Sequence, residues 1–175
     1  PASCCGVVGL KTTVDSVSRK GAMELSTTLD TVGPLVRSVR DAELMLAILG
    51  NGGRSAIEAL LARVGTLDQN LAGYRLAILP DREREGVSEA TLASFDATLD
   101  VFRKLGATIE VVDLPPFSDL AELTSVIMLA EAYAVHRETV DNSDSGMGEI
   151  VTSRMALGKN TTAHAYIDAL ARREA

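Results

Sequence analysis

Between Tyr74 and Asp113 the hydrophobic period changes twice, and that change constrains the fold more than any other feature of the chain. Tyr74-Arg75-Leu76-Ala77-Ile78-Leu79 has a short strand pattern, closed by Pro80. A charged loop follows over residues 81–86, with Arg-Glu-Arg-Glu at its centre. Ser88 then starts a helix in which Leu92, Phe95, Leu99 and Phe102 recur on one face, and Gly106 caps its C-terminus. Thr108-Ile109-Glu110-Val111-Val112-Asp113 is a second strand, stopped by Leu114-Pro115-Pro116. Strand, crossover helix and strand predict a β-α-β unit with parallel strands and a right-handed connection. The fold class is therefore α/β.

The remaining segments are mostly helical. Residues 38–49 form a helix capped by Ser38, with Asp41 three residues on and Val39, Ala42, Leu46 and Leu49 on one face. Gly50 to Gly53 ends it, and a surface connection around a helical turn at residues 56–63 follows. A long helix runs over residues 119–139, with Leu120, Leu123, Ile127, Ala130 and Ala134 as its apolar stripe. A polar loop at 141–148 leads to a short helix at 149–157, ended by Gly158. Thr161 or Thr162 caps a last helix whose Ala163, Tyr166, Ile167 and Leu170 face inward. Residues 1–34 show no helical period and are rich in Gly, Ser and Thr, so they read as short strands and tight loops. Gly6, Gly9, Gly21 and Gly33 there serve positive φ or close backbone approach.

Composition excludes several function classes. Aromatic residues make up 3% of the 175 positions, with no Trp, so aliphatic side chains must fill the core. A net charge of -7 argues against a nucleic-acid surface, which needs clustered Lys and Arg. Cys4 and Cys5 are adjacent and ill-suited to a mutual disulfide, and with two distant histidines they make a poor metal site. Both cysteines read as small buried hydrophobes, and His136 and His164 as structural or solvent-facing. No metal and no cofactor is expected. No apolar run reaches the ~18 to 20 residues of a membrane span, and no GxGxxG, phosphate-binding loop, HExxH or G-x-S-x-G motif is present. The abrupt ends read as those of an internal piece, one partial domain over residues 1–175 truncated at both ends.

One stretch carries a resemblance. Pro1-Ala2-Ser3-Cys4-Cys5-Gly6-Val7-Val8-Gly9-Leu10-Lys11 is followed by Val17-Ser18-Arg19-Lys20-Gly21. Then comes Thr28-Leu29-Asp30-Thr31-Val32-Gly33-Pro34-Leu35-Val36-Arg37-Ser38-Val39-Arg40-Asp41-Ala42. In order and without gaps this resembles the amidase signature family, whose pattern reads P-A-x-x-C-G-V-V-G-L-K-P-T, then G-R-V-S-R-x-G, then S-L-D-x-x-G-P-x-A-R-S-V-x-D-A. Leu71-Ala72-Gly73, Leu105-Gly106-Ala107, Ala130-Glu131-Ala132 and Tyr166-Ile167-Asp168-Ala169-Leu170 resemble weaker landmarks of the same family. The family's Pro after G-L-K is Thr12 here, and its Gly-Arg before Val-Ser is Asp15-Ser16.

The resemblance implies an α/β/α layered fold with a mixed central sheet and a Ser-cisSer-Lys mechanism of amide hydrolysis. A neutral lysine is the base, a cis-bonded serine relays the proton, and a second serine attacks the carbonyl. The family's nucleophile lies in G-G-S-x-R-x-P, whose Pro matches Pro1, so the nucleophile is expected four residues before Pro1 and no residue of this chain is catalytic. Ser3, Ser16, Ser18 and Lys11 are not the reacting groups. Leu25 and Thr31 are the candidate substrate contacts, on a loop that resembles the wall of the acyl pocket. Cys5, Asp30, Gly33 and Pro34 are site-supporting: Cys5 buried behind the nucleophile turn, Asp30 ordering the loop by accepting backbone bonds, Gly33 and Pro34 setting its turn. The implied parent is a stand-alone amidase acting on a small amide. The alternative is the glutamine-hydrolysing A subunit of the aspartyl/glutamyl-tRNA amidotransferase, whose N-L-A-R-Y-D-G segment after Ala-Glu-Ala is replaced here by Tyr133-Ala134-Val135-His136-Arg137-Glu138. A third reading is an inactive fragment or non-catalytic structural unit. A cytoplasmic location, no membrane partner and no direct nucleic-acid contact are expected, and a homodimer stays open. The isolated chain is expected to be marginally stable, because residues 1–34 need neighbours and strand edges stay unpaired.

Overall fold

The computed structural model describes residues 1–50, 53–62, 70–142 and 144–174. In chain order its elements are α1 (Ala2–Cys5), β1 (Val8–Gly9), β2 (Leu35–Val36), α2 (Val39–Leu49), α3 (Gly53–Ala62), β3 (Arg75–Ile78), α4 (Glu89–Lys104), β4 (Thr108–Val111), α5 (Phe117–Val140), α6 (Glu149–Ala156) and α7 (Ala163–Glu174), with single 3-10 turns at Asp81–Arg84 and Leu157–Asn160. The chain divides into two compact units, one of residues 1–64 with 122–175, the other of residues 65–121.

The unit of residues 65–121 is the β-α-β arrangement that the change of period predicts. β3 and β4 pair in parallel, with Arg75 beside Thr108 and Ile78 beside Val111. Thr108 N–H to Tyr74 C=O and Val112 N–H to Ile78 C=O, both 2.9 Å, extend the ladder at its ends. Between the strands, α4 starts as expected, with the Ser88 hydroxyl accepting from the Thr91 N–H. Of its predicted apolar face Leu99 is buried, while Phe95 stays 43% exposed. Arg82 donates to the Leu114 carbonyl at 2.8 Å and Glu83 accepts from the Phe117 N–H at 3.3 Å, so the charged loop ties itself to the segment leaving β4.

In the other unit β1 and β2 pair antiparallel, Val8 with Val36 and Gly9 with Leu35, and Val17 bridges Gly50. The chain thus holds both pairing senses, in two separate two-stranded sheets. Ser38 caps α2 through the Asp41 N–H, but Ala42 is its buried residue, and Val39 and Leu49 point to solvent at 73% and 40% exposure. The buried inner face of α2 is narrower than its pattern.

α5 departs from expectation in a way that matters for the site. Ile127 is buried as predicted, but Ala134 is exposed, and Glu131 is buried one turn beyond Ile127. Near it, the 3-10 turn after α6 comes so close to α5 that a Cβ on Gly158 would sit 1.9 Å from the Leu129 carbonyl oxygen. Only glycine fits there. Thr162 caps α7, its hydroxyl accepting from the Ala165 N–H. α7 buries Ala169 and leaves Ile167 61% exposed, against the expected inward face. The buried hydrophobic side chains among the described residues are mostly small: Val17, Ala42, Leu99, Ala107, Ile127, Ala132, Val140 and Ala169.

Among the described residues no helix is long and apolar enough to cross a membrane, and no group of three His, Cys, Asp or Glu side chains is placed to hold a metal ion.

Candidate active site

The loop over residues 24–31 has no strand ladder to hold it, so side chains must. Asp30 closes it from inside. Its Oδ2 accepts from the Leu25 N–H at 2.7 Å and the Ser26 N–H at 3.1 Å, and its own N–H donates to the Ser26 carbonyl at 3.1 Å. Leu25, Asp30 and Thr31 then line one cleft of about 450 Å³, together with Arg19, Lys20 and Glu24. The two candidate substrate contacts are thus brought together.

Gly33 and Pro34 turn the chain from that loop back to β2. A Cβ on Gly33 would sit 2.0 Å from the Leu10 carbonyl oxygen, so the turn depends on close approach of two backbones. Pro34 is buried, and its carbonyl accepts from the Leu10 N–H at 3.1 Å. A second cleft of about 500 Å³ is lined by Gly33, Pro34, Leu10 and Lys11, and it shares Thr31 with the first.

Cys5 is not where it was expected. It lines neither cleft, and both cysteines are free and exposed. α1 is a single turn that aims Ala2 at Gly9, where an added Cβ would meet the Ala2 methyl at 2.7 Å. Ser3 of that turn lines the second cleft, while Cys5 at its end is exposed.

The group that sequence reasoning missed as a site residue is Glu131. The residue is 6% exposed, and its carboxylate takes four hydrogen bonds. Oε2 accepts from the Ser26 hydroxyl and, at 3.0 Å, from the Thr28 N–H. Oε1 accepts from the Thr28 hydroxyl at 2.8 Å and the Tyr166 hydroxyl at 2.6 Å. Burial pushes its pKa up, but the bonds from Ser26, Tyr166 and Thr28 outweigh that and hold it below the ordinary 4.5. The Tyr166 phenol is raised above 10.0 by its bond to Glu131, by burial and by the carboxylate charge, against a smaller opposing effect of Arg173. Arg173 Nη1 donates to the Thr28 hydroxyl at 2.9 Å. His136 Nε2 bonds the Glu24 carbonyl at 2.6 Å, which gives that histidine a structural role; His164 is exposed beside Thr162.

The departures at Thr12, Asp15 and Ser16 are accommodated locally. Thr12 is buried and its hydroxyl donates to the Val32 carbonyl at 2.8 Å. Ser16 donates to the Thr13 carbonyl at 2.7 Å. Asp15 takes φ 63° at the position where the resemblance calls for glycine, a conformation costly for most side chains and least so for Asp and Asn.

A groove of about 510 Å³ in the unit of residues 65–121 is lined mainly by apolar residues such as Leu76, Ile78, Leu92 and Phe102. Its charged members are engaged in ion pairs or backbone bonds, Arg84 with Asp81 and Asp96, and Glu83 with Arg82 and Phe117. It presents no nucleophile and base in reach of each other.

The model of the family described as Amidase matches residues 1–175. The chain belongs to the amidase family. Among curated amidase relatives, the A subunit of the glutamyl-tRNA(Gln) amidotransferase of Lysinibacillus sphaericus (strain C3-41) is 36% identical over 178 residues, covering 99% of this chain and 36% of the relative. Among solved structures, one described as a vestigial protein complex that reveals the evolutionary origins of an s-triazine catabolic enzyme has a TM-score of 0.80 at 27% identity. It covers 99% of this chain and 38% of that one. The A subunit of the glutamyl-tRNA(Gln) amidotransferase of Thermotoga maritima has a TM-score of 0.67 at 29% identity, over 99% and 38% of the two chains. The amidase likeness carries the α/β/α layered fold expected from the sequence. This chain spans little more than a third of the length of these relatives.

Proposed function

We propose that this chain is one portion of an amide hydrolase, and that residues 24–34 form a wall of its substrate pocket. The observation that carries the reading is the cleft in which Leu25, Asp30 and Thr31 meet, closed by Asp30 and joined through Thr31 to the second cleft. The nucleophilic serine, relay serine and lysine stand upstream of Pro1 in this reading. The neutral lysine draws a proton through the relay serine from the nucleophile, whose oxygen attacks the amide carbonyl. The amine leaves with a proton returned along the same relay, and water then releases the acid from the acyl-enzyme. Leu25 and Thr31 contact the acyl part of the substrate; Asp30, Gly33 and Pro34 hold their loop.

The curated relatives support the side-chain amide of glutamine as the substrate more than they support a stand-alone amidase, since the chain is similar over nearly its whole length to amidotransferase sequences. One observation favours the stand-alone reading: Tyr133 to Glu138 stands where the amidotransferase resemblance calls for Asn-Leu-Ala-Arg-Tyr-Asp-Gly. The two readings separate on substrate preference. Ammonia release by the full-length protein faster from glutamine than from simple aliphatic amides supports the amidotransferase reading. The reverse preference supports the stand-alone amidase, and no release from either would reject both. Large apolar side chains left exposed, Met23 at 88% and Ile150 at 78% among them, support a larger protein around this chain.

A further inference from the structure

The loop that carries Leu25 and Thr31 is held from outside by a buried carboxylate, and nothing in the mechanism uses that carboxylate. A buried charge is costly unless every lone pair is satisfied, and a packed apolar residue would fill the same space at lower cost. What Glu131 supplies that an apolar residue does not is direction. Its two oxygens fix the Ser26 hydroxyl, the Thr28 N–H and the Thr28 hydroxyl at once. Ser26 is next to Leu25, so a displacement of this anchor moves the pocket wall directly.

The carboxylate is itself braced. Tyr166 donates to Oε1 at 2.6 Å, and Arg173, two turns along α7, donates to the Thr28 hydroxyl at 2.9 Å. Thr28 thus donates a hydrogen bond to Glu131 while accepting one from a cation, which aligns the chain Arg173, Thr28, Glu131 in one hydrogen-bond sense. Two further contacts hold the loop backbone, Arg19 on the Thr27 carbonyl at 2.8 Å and His136 on the Glu24 carbonyl at 2.6 Å. They fix carbonyls only. The Ser26 hydroxyl, the Thr28 hydroxyl and the Thr28 N–H answer to Glu131, while the Ser26 N–H goes to Asp30.

We propose that Glu131 is a positioning residue that sets substrate affinity by holding the 24–31 loop in register, with α7 as its brace through Tyr166 and Arg173. This rests on the reading of the 450 Å³ cleft as part of an amide substrate pocket.

The test uses the full-length enzyme with glutamine and propionamide as substrates and two readouts, steady-state ammonia release and amide hydrogen exchange. Glu131→Gln keeps the shape but places a donor against donors. It is expected to raise KM about tenfold with kcat changed by less than about threefold, and to speed exchange over residues 25–31 about tenfold. Leu99→Ala, a core truncation in the other unit, serves as the control of reduced stability and is expected to move neither KM nor exchange in the loop. If Glu131→Gln does not fold, Tyr166→Phe removes one of the four donors and is expected to give the same pattern at roughly threefold. Unchanged KM with unchanged loop exchange in the Glu131 variant would overturn the proposal, and so would an equal rise in KM in Leu99→Ala. A wild-type enzyme that hydrolyses neither amide would overturn the amide-hydrolase reading and the affinity claim with it, while loop exchange still decides whether Glu131 holds residues 25–31.

Discussion

Tyr166 donates to Glu131 at 2.6 Å, a contact between residues 35 apart that joins α7 to α5. The pair is tied to a surface loop through Ser26 and Thr28, so a helix-to-helix contact backs the loop whose Leu25, Asp30 and Thr31 line a cleft. Its protonation therefore links stability to pH at both ends of the scale.

Glu131 titrates below its ordinary 4.5 in the folded chain. A lowered carboxyl contributes stability that is present above the unfolded value and lost as pH falls through the folded one. The stability difference between wild type and Glu131→Gln is expected to be flat from about pH 5 to 9 and to narrow below that range. Tyr166 is raised above 10.0, so its contribution is present below that value and lost as pH rises through the folded one. The gap between wild type and Tyr166→Phe should narrow at the alkaline end, and at the acid end as well, because the Tyr166 bond is one of those that lower Glu131. Urea unfolding across pH measures both. A Glu131 gap that persists unchanged to pH ~3 would refute the assignment.

The β-α-β unit was legible because local signals agreed there: two short strands, a capped amphipathic helix and proline stops all specify the same arrangement. Asp30 was legible for the same reason, since the backbone amides it binds are four and five residues away. Glu131 was not. On a helical pattern a glutamate reads as a solvent-facing residue, and its burial depends on Ser26 and Thr28, more than a hundred positions earlier. The signals that mark it are the landmarks Ala130-Glu131-Ala132 and Tyr166 to Leu170, which supply both members of the contact. Cys5 failed in the opposite sense. Its residue type suggests burial, but the one-turn helix α1 buries none of its residues.

Asp15 stores backbone strain that glycine would remove. With φ at 63° and an exposed side chain whose only ion pair, to Arg19, spans 3.7 Å among the described residues, the side chain gives little in return. Asp15→Gly is expected to stabilise the chain by about 0.5–1 kcal/mol, read as a higher urea midpoint at unchanged m. A loss of stability would show that the aspartate is needed for more than its conformation.

Gly33 and Gly148 make opposite predictions for the same substitution. An added methyl at Gly33 meets the Leu10 carbonyl oxygen at 2.0 Å, while at Gly148 nothing lies within 4 Å and φ is -60°. Gly33→Ala should cost about 2 kcal/mol or more and disturb both clefts, because the backbone itself must move. Gly148→Ala should stay within about 0.5 kcal/mol of wild type. Equal effects at the two sites would contradict the close approach of residues 10 and 33.

The most direct test of the central claim compares ammonia release by the full-length protein with release by the isolated 175-residue chain, using glutamine and a simple aliphatic amide. The account predicts hydrolysis by the full-length protein and none by the isolated chain, whose residues flank the pocket and do not attack the amide. Comparable ammonia release by the isolated chain, or none by the full-length protein, would contradict it.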